Sequence, residues 1–311
     1  TARLMSGLLA GKNINAEFIG DKSLSKRPMK RIINPLSKMG VSIQSKNGHL
    51  PLIISSVELN SIDYTIPISS AQVKSSIILA GLGSMGETKV HEKIKTRNHT
   101  EIMLKELGAE ITIDDIISIH PLKSPLSPFE LTVPGDPSSA AFFAAAAAMI
   151  PNSNLTIKNI LANPLRIGFF DILKKMGICI DWTNIRRELG ELVGDVNITS
   201  NSLHGLNIDE RMVPSVIDEI PIIAILATQA DSPTIIEGAS ELRVKESDRI
   251  NAICHNLRFM GADIIEKHDG FIINPITKLN HSTINTFGDH RIAMAFAIVG
   301  LLTSKKNTLD D

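Results

Sequence analysis

The hydrophobic positions of this chain fall into two kinds of helix-like stretch that alternate along its length. One kind is apolar nearly all round and rich in Ala, Gly and Ser: residues 71–81, 138–150, 218–227 and 289–302, with 2–10 as a fifth. A helix that is apolar on every side has no face to offer water, so these are predicted to be buried. The other kind is amphipathic and ends in Leu-x-x-(Met/Leu)-Gly. It occurs at residues 36–40, 104–108, 173–177 and 257–261, with glycines 68, 69 and 84 residues apart. A Gly in that place suits the left-handed residue that ends a helix, with the Leu packing beneath it. After each Gly the pattern switches to strand-type alternation, as at residues 41–44 and 109–113, followed by a polar turn and another apolar strand.

The repeated unit therefore reads as buried helix, strand, amphipathic helix, strand, turn, strand. Its period is too long for a short-repeat solenoid and predicts a globular α/β protein built from repeated βαβαββ units. Composition shifts near residues 131–137, which puts a boundary between a domain at 1–134 and a second at 135–311, about two units in each. Asp136 and Pro137 have the form of an N-cap and first residue for the Ala-rich helix that follows.

With 311 residues, 43% hydrophobic and 21% charged, the chain is too long and too apolar for a disordered, collagenous or disulfide-stapled class. Aromatics are 4%, with one Trp and one Tyr, which leaves little to stack nucleic-acid bases on. The net charge of −1 gives no overall pull towards a polyanion or a membrane. Neither nucleic acid nor membrane is expected as a partner, and a monomer is expected. The longest apolar runs, 140–150 and 292–302, are 11 residues each, short of the ~18–20 needed to cross a bilayer. Cys179 and Cys254 sit in apolar text without a partner motif and are expected as two buried free thiols in a reducing cytoplasm. The nine histidines show no metal-ligand spacing, and neither metal nor organic cofactor is expected.

Charge is uneven. Residues 1–150 carry +3 (16 Lys and Arg against 13 Asp and Glu) and residues 151–311 carry −4 (16 against 20). Lys22, Lys26, Arg27, Lys30 and Arg31 fall within ten residues with no acid among them, a patch that suits either a small anion or a solvated helix face. Residues 81–86 match G-x-G-x-x-G, but they follow a helix and lead into a strand, the reverse of a dinucleotide fingerprint, so a helix-end turn is predicted. Cations stand at the start of each amphipathic helix: Lys26 and Arg27, Arg97, Arg166, and Lys245 with Arg249. They oppose the helix dipole, and a bound anion would remove that conflict. Carboxylates lie close by in the second half: Asp218 and Glu219 opening one buried helix, Glu246 and Asp248 among the cations, and Asp289 before His290 and Arg291. Each also suits a helix cap. Together they describe an enzyme that holds a small polyanion and moves protons.

Five spaced stretches carry a family resemblance: Gly20-Asp21-Lys22-Ser23-Leu24-Ser25-Lys26-Arg27-Pro28-Met29, Ser70-Ala71-Gln72-Val73-Lys74-Ser75, Val133-Pro134-Gly135-Asp136, Leu242-Arg243-Val244-Lys245-Glu246-Ser247-Asp248-Arg249 and Gly288-Asp289-His290-Arg291. In this order the chain resembles the 5-enolpyruvylshikimate-3-phosphate synthase family. The resemblance implies a two-domain inside-out α/β barrel of the enolpyruvyl transferase type, closing over its substrates. It implies transfer of the enolpyruvyl group of phosphoenolpyruvate to the 5-hydroxyl of shikimate 3-phosphate, releasing phosphate. It further implies Asp218 as the base on the 5-hydroxyl and Glu246 as the group exchanging the methyl proton. Arg27, Arg249 and Arg291 would hold phosphoenolpyruvate, Gln72 would touch both substrates, and Ser70, Arg97, Asp218 and Lys245 would surround shikimate 3-phosphate.

The sequence departs from the family pattern in places. Ala71 stands where some members have Ser, and His99 where some have Tyr. The family's N-terminal Lys-Ser-Arg motif and its C-terminal Lys have no counterpart between Thr1 and Asp311, and four units plus the start of a fifth stand where the family has six. The chain is therefore expected to be cut at both ends, with little activity by itself. Two alternatives compete with the resemblance. A UDP-N-acetylglucosamine enolpyruvyl transferase would place a Cys on a mobile loop and lacks the Arg-Pro-Met-Lys-Arg match. A non-catalytic repeat scaffold would have no use for Lys-Glu-x-Asp-Arg at a helix start.

Overall fold

The computed structural model describes residues 1–55, 57–275 and 278–310. They form two units: Thr1–Thr132 with Leu189–Glu191, and Val133–Glu188 with Leu192–Asp311. The first unit holds α1 (Ala2–Gly11), α2 (Lys22–Lys26), α3 (Lys30–Lys38), α4 (Ala71–Gly81) and α5 (His99–Glu106). The second holds α6 (Pro137–Met149), α7 (Gly168–Lys175), α8 (Val213–Val216), α9 (Ile220–Thr228), α10 (Arg249–Phe259) and α11 (His290–Val299).

The repeated glycines do what their spacing predicts. Gly40, Gly108, Gly177 and Gly261 all have φ between +83° and +102°, and each follows the C-cap of α3, α5, α7 or α10. In α3 the Gly40 N–H donates to Ser37 O at 3.0 Å and the Val41 N–H to Leu36 O at 3.1 Å; the same pair of bonds closes the other three helices. This paired closure needs a left-handed residue, and a non-glycine there meets Cβ strain. The repeated spacing of Leu is explained too: Leu36, Leu104, Leu173 and Leu257 are buried, as are the residues after each Gly.

Strand order repeats with the helices. In the first unit Asp63–Ile66 runs parallel to Thr88–Glu92, which pairs antiparallel with Ile116–Ile119, with Ile111–Ile113 outside it. The second unit has the same order in Asn207–Ile208, Thr234–Ile236, Gly270–Ile273 and Ile264–Lys267. Ala16–Phe18, His49–Ser55 and Ser42–Lys46 form a third copy without its first strand, and Asn154–Leu161, Glu191–Thr199 and Cys179–Glu188 a fourth. A parallel bridge from Gly135 to Ile160 stands where that fourth copy's first strand would be. Thr283–Asn285 and Thr308–Asp310, flanking α11, begin a fifth.

The all-round apolar helices are buried to differing degrees. Helices α4 and α6 are buried over most of their length, although Phe143 of α6 is exposed. Helix α11 leaves Met294 exposed and α1 buries only Ser6, Gly7 and Ala10, so the expectation of full burial is corrected for these. Every residue of α9 is buried, and α6, α9 and α11 pack on one another beneath the sheets of the second unit. In the first unit α1 and α4 approach so closely that a Cβ on Gly7 would stand 1.9 Å from Ser76 O, and one on Gly83 1.8 Å from Gly11 O. Gly83 belongs to the 81–86 stretch, which ends α4 in a turn before Thr88–Glu92. Its glycines serve a helix end and a close helix pair.

Three other expectations need correction. Lys26 and Arg27 close a one-turn helix, α2, and do not open α3. Asp21 caps α2 by accepting the Leu24 N–H, and Pro28 stops it after Arg27. Asp218 lies outside a helix, because Pro221 lacks the N–H that a helix begun at 218 would need; α9 starts at Ile220 with Glu219 as N-cap. Cys179 is exposed: it opens a strand whose inward position is Ile180. Cys254 is buried on α10, and burial pushes its thiol up to about 12.

Candidate active site

In the second unit the sequence 245–249 brings its charges together around one guanidinium. Ser240–Val244 forms a 3-10 turn, Lys245 is extended, and Asp248 caps α10 by accepting the Asn251 N–H at 3.0 Å. That cap sets Arg249 at the first helical position, where it is 1% exposed. A buried guanidinium is tenable only with partners, and Arg249 has three carboxylates. Nε donates to Asp289 Oδ2 at 2.8 Å, and Nη2 to Glu246 Oε2 at 2.9 Å and Asp289 Oδ1 at 3.3 Å. Nη1 lies 3.6 Å from Asp218 Oδ1, as does Lys245 Nζ.

Distance and burial separate the roles of these acids. Asp289 is 1% exposed, caps α11 by accepting the Arg291 N–H at 2.9 Å, and accepts from Ser247 Oγ at 3.1 Å. Burial pushes its carboxyl up, but the hydrogen bond and charge of Arg249 outweigh that and hold it below the usual range. Asp289 is thus fixed as an anion that orients Arg249. Asp218 and Glu246, by contrast, are partly exposed, at 17% and 24% of their side-chain surface.

Three further groups extend this cluster. Arg166 Nη2 donates to Asp136 Oδ1 at 2.6 Å and to Ser138 Oγ at 2.9 Å, while Asp136 caps α6 through the N–H groups of Ser138 and Ser139. Glu219 is 2% exposed. Burial pushes its carboxyl above the usual range, Asp218 adds to the rise, and Arg166 and Arg291 oppose it only in part. Arg291, in the first turn of α11, adds its charge to that of Arg166 in lowering both Glu219 and Asp136.

In the first unit Ser70 caps α4, accepting the Val73 N–H, and Gln72 follows in the first turn. Arg3 ties this end to the turn carrying Arg27: Nη1 donates to Gln72 Oε1 at 2.8 Å and Nη2 to Pro28 O at 3.0 Å. Arg97 precedes α5, whose first residue, His99, has Nδ1 2.6 Å from Glu191 Oε1. Sequence reasoning passed over Arg3, although it obeys the rule that singled out the others: a cation in the first turn of a helix. It also passed over Lys74, buried in the middle of α4. Among the described residues no group of three His, Cys, Asp or Glu is arranged to hold a metal, and no helix is long and apolar enough to cross a membrane.

Buried helices beneath sheets, a repeated βαβαββ unit, and cations at helix starts beside partly exposed carboxylates define an inside-out α/β protein of the enolpyruvyl transferase type. The family model for EPSP synthase (3-phosphoshikimate 1-carboxyvinyltransferase) matches residues 1–311, and the chain belongs to that family. It is 47% identical to the 3-phosphoshikimate 1-carboxyvinyltransferase of Sulfurihydrogenibium sp. (strain YO3AOP1) over all of this chain and 74% of that protein. It is 47% identical to the same enzyme from Oceanobacillus iheyensis, over all of this chain and 73% of that one. The solved EPSP synthase of Acinetobacter baumannii superposes with a TM-score of 0.86 at 41% identity, covering 99% of this chain and 72% of that one.

Proposed function

We propose that this chain transfers the enolpyruvyl group of phosphoenolpyruvate to the 5-hydroxyl of shikimate 3-phosphate, with the site residues in the following roles. Ser70, Gln72 and Arg97 of the first unit, and Asp218 and Lys245 of the second, take shikimate 3-phosphate. Arg27 and Gln72 of the first unit, and Arg249 and Arg291 of the second, take phosphoenolpyruvate. Asp218 removes the proton of the 5-hydroxyl as its oxygen bonds to the enol carbon, and Glu246 delivers a proton to the methylene carbon. In the second step the carbon–oxygen bond to phosphate breaks, and the new methyl group returns a proton to Glu246. No electrons are exchanged with a third reactant, so the reaction asks for no redox cofactor. The reading has the enzyme working as a monomer in the cytoplasm.

The observation that carries this reading is the Arg249 cluster: one oriented guanidinium beside two partly exposed carboxylates. A solvated charge pair has no reason to bury its Arg, and a scaffold has no need for acids held apart in role. The test is Glu246→Ala in the enzyme. Turnover is expected to fall by about 10²–10⁴-fold, the usual contribution of a positioned acid–base group, with shikimate 3-phosphate binding kept. Unchanged turnover would favour the scaffold reading.

A further inference from the structure

Lys74 is used by none of these roles, yet it is a lysine in the apolar helix α4 and 1% exposed. Its Nζ lies 2.8 Å from Glu92 Oε2 and 2.7 Å from Glu101 Oε1, and donates to Thr96 O at 3.0 Å. The contacts to Glu92 and to the Thr96 carbonyl are hydrogen bonds from the ammonium, and the approach to Glu101 is an ion pair. Glu92 Oε1 in turn accepts the Thr96 N–H at 3.2 Å and the Thr96 hydroxyl. One residue along α4, Ser75 Oγ stands 2.7 Å from Thr100 Oγ1. Helix α4 thus grips the chain on both sides of Arg97, Asn98 and His99, while its own start presents Ser70 and Gln72.

A buried lysine with two glutamates is no more stabilising than apolar side chains of the same volume would be. Burial pushes the Glu101 carboxyl upward, with Lys74 opposing, so the cluster is costly to assemble. What it supplies, and apolar packing would not, is a fixed direction: bonds to both the carbonyl and the N–H of one residue, Thr96. We infer that Lys74 and Glu92 are positioning residues that hold Arg97 in register with Ser70 and Gln72 to receive the phosphate of shikimate 3-phosphate. The inference rests on the placement of Arg97 in the proposed site.

The test is calorimetric titration with shikimate 3-phosphate, alongside melting temperature, for Glu92→Gln, Thr96→Val, Thr96→Ser and Arg97→Gln. Glu92→Gln and Thr96→Val each remove part of the grip on Thr96 and should weaken binding about tenfold, the worth of a hydrogen bond to a charged group. Thr96→Ser keeps the hydroxyl and should bind as the unsubstituted protein does. In turnover, KM for shikimate 3-phosphate should rise while kcat and KM for phosphoenolpyruvate hold, a split that general destabilisation does not produce. Should Glu92→Gln fail to fold, the Thr96 pair decides. Normal binding by Thr96→Val, with binding lost in Arg97→Gln, overturns the positioning role. Normal binding by Arg97→Gln as well overturns the site assignment itself, and the inference with it.

Discussion

At the scale of single residues, the same side-chain type takes opposite protonation behaviour from its surroundings. Asp289 is held below the ordinary range by Arg249, and Glu219 is pushed above it by burial. Stability linkage follows with opposite signs. A depressed carboxyl stabilises the fold above its ordinary pKa, and that contribution is lost as pH falls through the folded value. A raised one favours the fold only at low pH, and stability declines as pH climbs from the ordinary glutamate value, about 4.3, towards the folded one. Asp289→Asn is therefore expected to cost about 3–5 kcal/mol at neutral pH, as breaking a buried ion pair does, and to blunt the loss of stability in acid. Glu219→Gln should instead flatten the decline above pH 4. Denaturant midpoints measured across pH 3–8 check both, and slopes identical to those of the unsubstituted protein would refute them. Neither sign was legible in the sequence, where Asp289 and Glu219 both look like helix-start acids.

At the scale of elements, glycine is required for two separate reasons. Gly7 is required because α1 and α4 cross with the backbone of Ser76 where a Cβ would be. A helix interior otherwise prefers Ala over Gly by about 1 kcal/mol, so propensity alone would make Gly7→Ala stabilising. The structure reverses that sign, since the atoms met are backbone and cannot swing away. Gly288 makes the contrast: its φ is +65° but nothing lies within 4 Å of an added Cβ. Gly7→Ala is expected to lower the melting temperature well beyond Gly288→Ala, which pays only the left-handed strain of roughly 1–2 kcal/mol. Equal effects in a thermal melt would mean that the helices separate freely. The amphipathic helices were far more legible, because a local bond pattern at Gly40 or Gly177 needs nothing from elsewhere in the chain. Helix starts were less so: α2 is hidden inside a cationic run, and nothing local marks that α9 waits until Ile220.

At the scale of the whole molecule, a net charge of −1 hides local concentrations of both signs. Long-range steering scales with net charge, whereas a bound anion feels the cations within about one Debye length, roughly 8–10 Å. Binding of shikimate 3-phosphate should therefore weaken as salt rises from 20 to 500 mM, approximate limits chosen to span that screening length, with the dependence reduced in Arg97→Gln. A salt-independent affinity would argue against cation-held phosphate. The chain spans 70–74% of the length of the relatives it matches.

The sequence by itself determined the repeated unit, the full burial of the most apolar helix, α9, the four glycine-closed helix ends and the residue types of the site, because periodicity and helix closure are local matters. Its five spaced motifs were enough to suggest the family. Only the tertiary structure decided which acid is buried against Arg249 and which are partly exposed, since that depends on the distance and burial of Arg249 relative to Asp289, Glu246 and Asp218. It alone decided that Cys179 faces water, that Arg3 bridges Gln72 to the Arg27 turn, and that Lys74 joins α4 to the segment bearing Arg97. Apart from Glu246, which lies one helical turn from Arg249, the paired residues are some twenty to seventy positions apart, and no local rule can set the distance between them.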